Sequence, residues 1–246
     1  MKKLIINSIL GLSLLSVTSC YKTDNWDAPD ARVHGRIIDS YTGENLLSSQ
    51  NDWGVRIWER SWEASEPTNQ SLGVKQDGSY NNSKMFAGTY DMLPYGGPFW
   101  PVTDTAKNVV FDGVTEQDFT VTPYLQLLDF ETSLEGDELF LSCRLKAPIR
   151  TGLPNLVEVK PFLSLTTFCG AGPNSSIDIA EYNNARIQIN KSWQEEVGDA
   201  ETSDVYRVGP LPVKAGYTYY VRLGANVNDA NRKYNYTEIV KVDVPN

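Results

Sequence analysis

Apolar and polar residues alternate in short runs along most of the chain, and no window of a dozen residues carries a helical period over its first half. From Val33 to Asp39, one parity holds Val33, Gly35 and Ile37 and the other holds His34, Arg36 and Ile38, as a half-buried strand requires. Tyr41-Thr42-Gly43-Glu44 reads as a turn with Gly43 free to take positive φ. Asp52 to Arg60 predicts a second strand with Trp53, Val55 and Ile57 inward. Asp77-Gly78 marks a tight turn, Gly78 to Asn82 leads toward Met85, and Thr89–Leu93, Val109–Phe111 and Gln117–Thr122 complete the set. The run Pro94-Tyr95-Gly96-Gly97-Pro98-Phe99-Trp100-Pro101 interrupts it. Its prolines lack donors and its glycines supply unusual dihedrals, so it reads as a loop or irregular edge.

A second set begins at Tyr124. Leu125 to Phe130 alternates, and Glu138 to Lys146 places Leu139, Leu141, Cys143 and Leu145 on one face. Val157 to Cys169 is extended and broken near Lys160-Pro161, with Leu163, Leu165, Thr167 and Cys169 on one side. Ala185–Ile189, Asp204–Val208, Tyr217–Ala225 and Tyr236–Val244 follow, while Ile177 to Tyr182 has room for one helical turn. Seven strands in about 120 residues match an immunoglobulin-like or fibronectin-like sandwich. The first set, of about 90 residues, also needs two layers to bury its apolar faces. The expected fold is therefore all-β, with two sandwiches at 32–123 and 124–246. The linker near Pro123 is short enough to force them together.

The first twenty residues change the picture. Lys2 and Lys3 precede a mostly apolar stretch from Leu4 to Val17, and Val17-Thr18-Ser19-Cys20 sets small side chains before a cysteine. That order is a secretory leader, 1–19, with a lipoprotein cleavage box. Asn7 and Ser8 make the apolar stretch too short and too polar to span a bilayer of about 20 residues. Cys20 would carry the acyl chains, each buried methylene adding roughly 0.8 kcal/mol of membrane affinity. Residues 20–31, rich in Asp and Asn, form the tether.

Charge and cysteine narrow the chemistry. The 246 residues carry a net charge of −9, which becomes −11 once Lys2 and Lys3 leave with the leader. Such a surface repels phosphate backbones, and no basic patch or RNA-binding aromatic motif offsets it, which argues against nucleic acid. Cys143 and Cys169 are the remaining thiols; export permits a disulfide, and two separate buried thiols fit equally well. His34 is the only histidine, which leaves a serine or cysteine nucleophile without an evident base and a metal without a ligand set. There is no G-x-S-x-G elbow, phosphate loop or H-E-x-x-H site, so neither catalysis nor a cofactor has support. Paired carboxylates could serve a glycosidase, but Asp77, Asp91, Asp104 and Asp112 show no spacing that separates donor from base.

Aromatic side chains stand above this background. Trp58 has the parity opposite to Trp53, Val55 and Ile57, so it faces out with Arg56 and Arg60. Trp62 continues that parity, and Tyr95, Phe99 and Trp100 sit in the proline-glycine run. Together Trp58, Trp62, Tyr95, Phe99 and Trp100 would form a platform rimmed by Arg56, Arg60, Asp91 and Asp104. It suits a sugar face or a protein partner. The alternative is that several of these rings fill the small core or plug the junction between domains.

The Cys20 box, Asp24-Asn25-Trp26-Asp27-Ala28-Pro29-Asp30, and Val33 through Glu44 resemble the DUF3823-type family of Bacteroidetes outer-membrane lipoproteins of unknown function. The resemblance implies a carboxypeptidase-regulatory-like, transthyretin-type sandwich followed by a second β-sandwich. It also implies a neighbourhood of SusC-type transporters and SusD-type glycan receptors. The expectation is a noncatalytic surface lipoprotein that binds or handles glycans for nutrient uptake, or an accessory subunit of that system. Gly35 to Glu44 supports the fold and assigns no ligand.

Overall fold

The computed structural model describes residues 28–61 and 65–246. The leader, Cys20, most of the tether and Trp62 lie outside the described residues.

The first domain packs two sheets. One carries β1 (Ala31–Asp39) between β4 (Ser79–Met85) and β7 (Val114–Glu116), with β8 (Phe119–Val121) running parallel to the end of β1. The other has the order β3 (Asn69–Gly73), β2 (Gly54–Glu59), β5 (Gly88–Tyr95), β6 (Ala106–Phe111). The alternation of β1 places Val33, Gly35 and Ile37 inward, and that of β2 places Val55 and Ile57 inward. These meet Tyr80, Met85, Met92 and Phe111, and Tyr90 stacks on Phe111 with ring centroids 4.1 Å apart. Each such side chain, fully buried, contributes about 1.5–3 kcal/mol.

One expectation needs correction here, and one strand had no signal in the sequence. β5 does not stop before Pro94: it continues to Tyr95, with Pro94 opposite Val55. β6 leaves the sheet opposite Met92, so beyond that point β5 has a neighbour on one side only and tolerates a proline. β3 has no apolar signature because it is an edge strand that buries only Leu72.

The second domain also has two sheets. β13 (Tyr206–Pro212), β10 (Glu138–Lys146) and β9 (Gln126–Glu135) form one. β12 (Ile187–Lys191), β11 (Leu156–Ser164), β14 (Thr218–Val227) and β15 (Tyr234–Tyr236) form the other, with β16 (Val240–Asp243) also on β14. Leu139, Leu141, Cys143 and Leu145 of β10 pack against Val159, Leu163, Val221 and Leu223. Tyr182 on α1 (Ala180–Asn184) and Trp193 on α2 (Trp193–Glu196) close this core. Ser192 caps α2 with a reciprocal Ser192–Glu195 box. β11 runs unbroken through Pro161 and ends at Ser164, so Leu165 is half-exposed rather than continuing the face.

The alternation of β14 disappears after Val221, where every residue to Val227 is buried. Its second face is covered by Tyr234 and Tyr236 of its own domain and, at Arg222, by Ser48 of the first. Arg222, fully buried, donates from Nη2 to the Ser48 carbonyl at 2.7 Å and lies 3.6 Å over the Tyr236 ring. The Gly172 amide donates to Ser49 Oγ at 2.7 Å, and Gln76 donates to the Thr167 carbonyl at 2.8 Å. Asn235 accepts from the Leu125 amide and donates to the Pro98 carbonyl. Lys233 pairs with Asp52 at 2.8 Å.

Cys143 and Cys169 are free thiols in different clusters. Cys143 faces the second core, whereas Cys169 packs with Phe162 and Tyr236. Phe162 and Leu163 are sequence neighbours on opposite faces of β11, so a sheet lies between the sulfurs. The two-thiol alternative therefore describes the molecule, and the disulfide does not form. Burial pushes both thiols up to about 12.

Candidate functional site

The outward face of the β3-β2-β5 sheet is built in rungs, because facing residues of paired strands share a side. Asn69, Trp58 and Asp91 form one rung; Ser71, Arg56 and Leu93 the next; Gly73, Gly54 and Tyr95 the third. Trp58 thus stands on the outer face, half-buried among its neighbours, and Tyr95 is 46% exposed two rungs along. The Arg56 guanidinium lies 3.3 Å over the Tyr95 ring, and has no carboxylate within 4 Å among the described residues. Stacked this way, Arg56 is held flat with its donors uncommitted.

Arg60 and Asp91 play a different part. Arg60 donates from Nε to Asp91 Oδ2 at 2.9 Å and also contacts it through Nη2 at 2.8 Å. The other Asp91 oxygen accepts from the Asn108 amide at 3.0 Å. A carboxylate so nearly buried, with both oxygens engaged, fixes the edge of the face rather than offering itself as an acid or base. Asp104 is exposed in the 101–105 segment.

Phe99 and Trp100 leave this face. Phe99 turns into the first core, edge-on to Trp53 at 5.3 Å. Trp100 packs on Tyr124 at 5.3 Å and against the second core. The cause is backbone: the Trp100 amide donates to the Thr122 carbonyl and the Tyr124 amide to the Pro98 carbonyl, folding 98–101 onto the linker. For these two rings the junction-plug alternative is the correct one. Of the expected platform, Trp58, Tyr95, Arg56 and Arg60 remain together; Trp62 and Cys20 lie outside the described residues.

A wider cleft, about 770 Å³, lies elsewhere, between Asp39–Leu47 and the 125–128 and 235–238 segments. Several of its polar groups are already committed. Asp39 accepts from Gln126 and from the Tyr41 amide, Arg36 pairs with Asp118, and Asn45 donates to the Asp77 carbonyl. Tyr236, its one aromatic ring, sits beneath Arg222. That cleft is a joint between domains. Sequence reasoning missed Arg222, Asn235 and Lys233, which bond Ser48, Leu125, Pro98 and Asp52, each at least 110 positions away in the chain. Among the described residues no three His, Cys, Asp or Glu side chains converge to hold a metal.

The comparisons agree with the two-domain architecture. A "putative carbohydrate binding protein" of Bacteroides uniformis ATCC 8492 is similar over 88% of this chain and all of its own, with 23% identity and a TM-score of 0.68. DUF3823 family proteins of Bacteroides uniformis ATCC 8492 and Parabacteroides merdae ATCC 43184 have TM-scores of 0.69 and 0.63, each at 20% identity over 88% of this chain and 100% of theirs. These likenesses establish the fold. No curated protein matches the chain. Residues 31–122 match the N-terminal domain of the protein of unknown function DUF3823, and 125–241 match the domain of unknown function DUF3823_C; the chain belongs to the DUF3823 family.

Proposed function

We propose that this protein is a noncatalytic carbohydrate-binding lipoprotein of the outer membrane, tethered through Cys20 and serving a glycan-uptake system of the SusC/SusD kind. The observation that carries the reading is the outer face of β2 and β5. An indole (Trp58), a guanidinium stacked flat on a phenol (Arg56 on Tyr95) and a fixed ion pair (Arg60–Asp91) lie on one rigid sheet. Sugars present apolar ring faces and a fringe of hydroxyls, so they take flat side chains beneath and fixed donors around the edge. Rings held by strands also lose little freedom when a ligand arrives. The similar Bacteroides uniformis structure named for carbohydrate binding supports the class of ligand and assigns none of these residues. The sequence of the leader supports the anchor.

Affinity electrophoresis of the mature protein in detergent, through gels containing pullulan, xylan, galactomannan or polygalacturonate, tests the reading. At least one polysaccharide should retard the protein, and Trp58→Ala and Tyr95→Ala should each weaken retention about tenfold, equivalent to roughly 1.4 kcal/mol. Both variants should keep the parent's melting temperature within a few degrees. If both migrate like the parent in every gel that retards it, this face is not the site. If instead only co-purification with transporter partners changes, the face is a protein-docking surface.

A further inference from the structure

The outer face does not end at Tyr95. The third rung, Gly73–Gly54–Tyr95, has no side chain on two of its three strands and opens into a groove of about 590 Å³. The far wall of that groove belongs to the second domain: Asn231 and Lys233 line it beside Asp52. The two domains touch there, since Lys233 pairs with Asp52 and a side chain on Gly96 would reach within 3.9 Å of Asn231 Oδ1. Gly54 and Gly73 are close-packed rather than merely small. A β-carbon at Gly54 would lie 2.3 Å from the Leu72 carbonyl oxygen, and one at Gly73 would lie 2.3 Å from Asn51 Oδ1. Trp53 also lines the groove, and its Nε1 is buried with no partner, a polar atom the protein alone leaves unsatisfied.

Successive rungs on one face of a strand are about 6.6 Å apart, so Trp58 and the Gly54 rung are separated by about 13 Å before the groove begins. Flat side chains first, then a channel floored by Gly54 and Gly73 and walled by Asn51, Asn231 and Lys233, is an arrangement for a chain rather than for one ring. We infer that the ligand is a polysaccharide bound along its length, lying over Trp58 and the Arg56–Tyr95 stack and continuing through the Gly54–Gly73 groove to Asn231 and Lys233. The two domains together form one binding surface, and a mono- or disaccharide occupies only part of it. This rests on the carbohydrate reading of the same face.

The test uses the mature protein in detergent and a size ladder prepared by partial hydrolysis of whichever gel polysaccharide retards it. Affinity measured by calorimetry should rise by about tenfold or more between the disaccharide and the longest fragments. Asn231→Leu and Asn231→Trp narrow the groove from its exposed far wall, away from Trp58 and the Arg56–Tyr95 stack. Each should remove most of the gain for long fragments and leave disaccharide binding within about twofold. Unchanged melting temperature in either variant is sufficient to read the result. Disaccharide binding as tight as that of long fragments, or both variants binding long fragments like the parent, overturns the extended site while the carbohydrate reading stands. Failure of every polysaccharide to retard the parent overturns both.

Discussion

Arg222 is the most constrained cation in the described molecule. Burial pushes its guanidinium below its ordinary pKa, with Tyr236, Cys169 and Asp52 acting in the opposite direction. Desolvating such a group costs several kcal/mol. Against this stand one charge-assisted bond to the Ser48 carbonyl, worth about 1.5–3 kcal/mol, and a desolvated cation–π contact on Tyr236 of about 2 kcal/mol. Its Nε is buried without a partner. The terms nearly cancel, which makes shape the deciding contribution. Arg222→Met keeps most of the volume and removes the charge, so the unfolding free energy from urea titration should change by less than about 1.5 kcal/mol. Arg222→Ala leaves a cavity between the domains and should lose about 2–4 kcal/mol. Equal losses in the two variants would mean that the charge, not the packing, holds the joint. Gly170 belongs to the same argument. Its φ of +148° and a β-carbon position 2.3 Å from Arg222 Nη2 exclude any larger residue while Arg222 stays in place.

At the level of elements, the period-two signal was legible wherever a strand has one wet face. The parity of β1, β2 and β10 places the same residues inward that the structure buries. The signal fails for understandable reasons. β3 buries a single side chain, so it shows no alternation. The upper half of β14 is covered on both faces, so Arg222 reads as an outward residue until the other domain is present. For the site, parity was enough for Trp58, Arg56 and Arg60, which sit on a strand. It had no purchase on Phe99 and Trp100, whose direction depends on bonds from 98–101 to the linker. Asn235 is the clearest case of information absent from local sequence. Its amide bonds Leu125 N at 3.1 Å and the Pro98 carbonyl at 3.0 Å, tying β15 to both the linker and the proline-glycine segment. Asn235→Ala leaves the buried Leu125 amide unpaired, at about 1–3 kcal/mol, and removes one of two bonds to the Pro98 carbonyl, which keeps the Tyr124 amide. The expected thermal scan shows a lower midpoint and a broader or two-step transition as the domains uncouple. A single sharp transition at the parent temperature would remove Asn235 from the list of residues that join the domains.

Across the described molecule, apart from Arg222, the titratable groups that burial shifts most are thiols and phenols rather than carboxylates. Burial pushes Cys143, Cys169 and Tyr182 up to about 12. It also raises Tyr80, Tyr206, Tyr234 and Tyr236, the hydroxyls of Tyr234 and Tyr206 donating to Glu158 and Glu196 as well. Unfolded, a thiol releases its proton near pH 8.5 and a tyrosine near pH 10. Each buried group therefore keeps a proton in the native state over a window where the unfolded chain has lost it. Binding more protons in the native state means that stability falls as pH rises. The contribution is complete below about pH 8.5 and is lost progressively toward pH 12, with a slope approaching 1.4 kcal/mol per pH unit for each fully buried group. Urea midpoints should thus hold level from pH 7 to 8 and then fall at an accelerating rate, first as the thiols and then as the tyrosines of the unfolded chain titrate. In a Cys143→Ala, Cys169→Ala variant the first part of that fall, between about pH 8.5 and 10, should flatten while the steeper part above pH 10 remains. A midpoint that stays level to pH 11 in the parent would place these thiols and phenols in contact with water, against a fold whose two cores and joint exclude it.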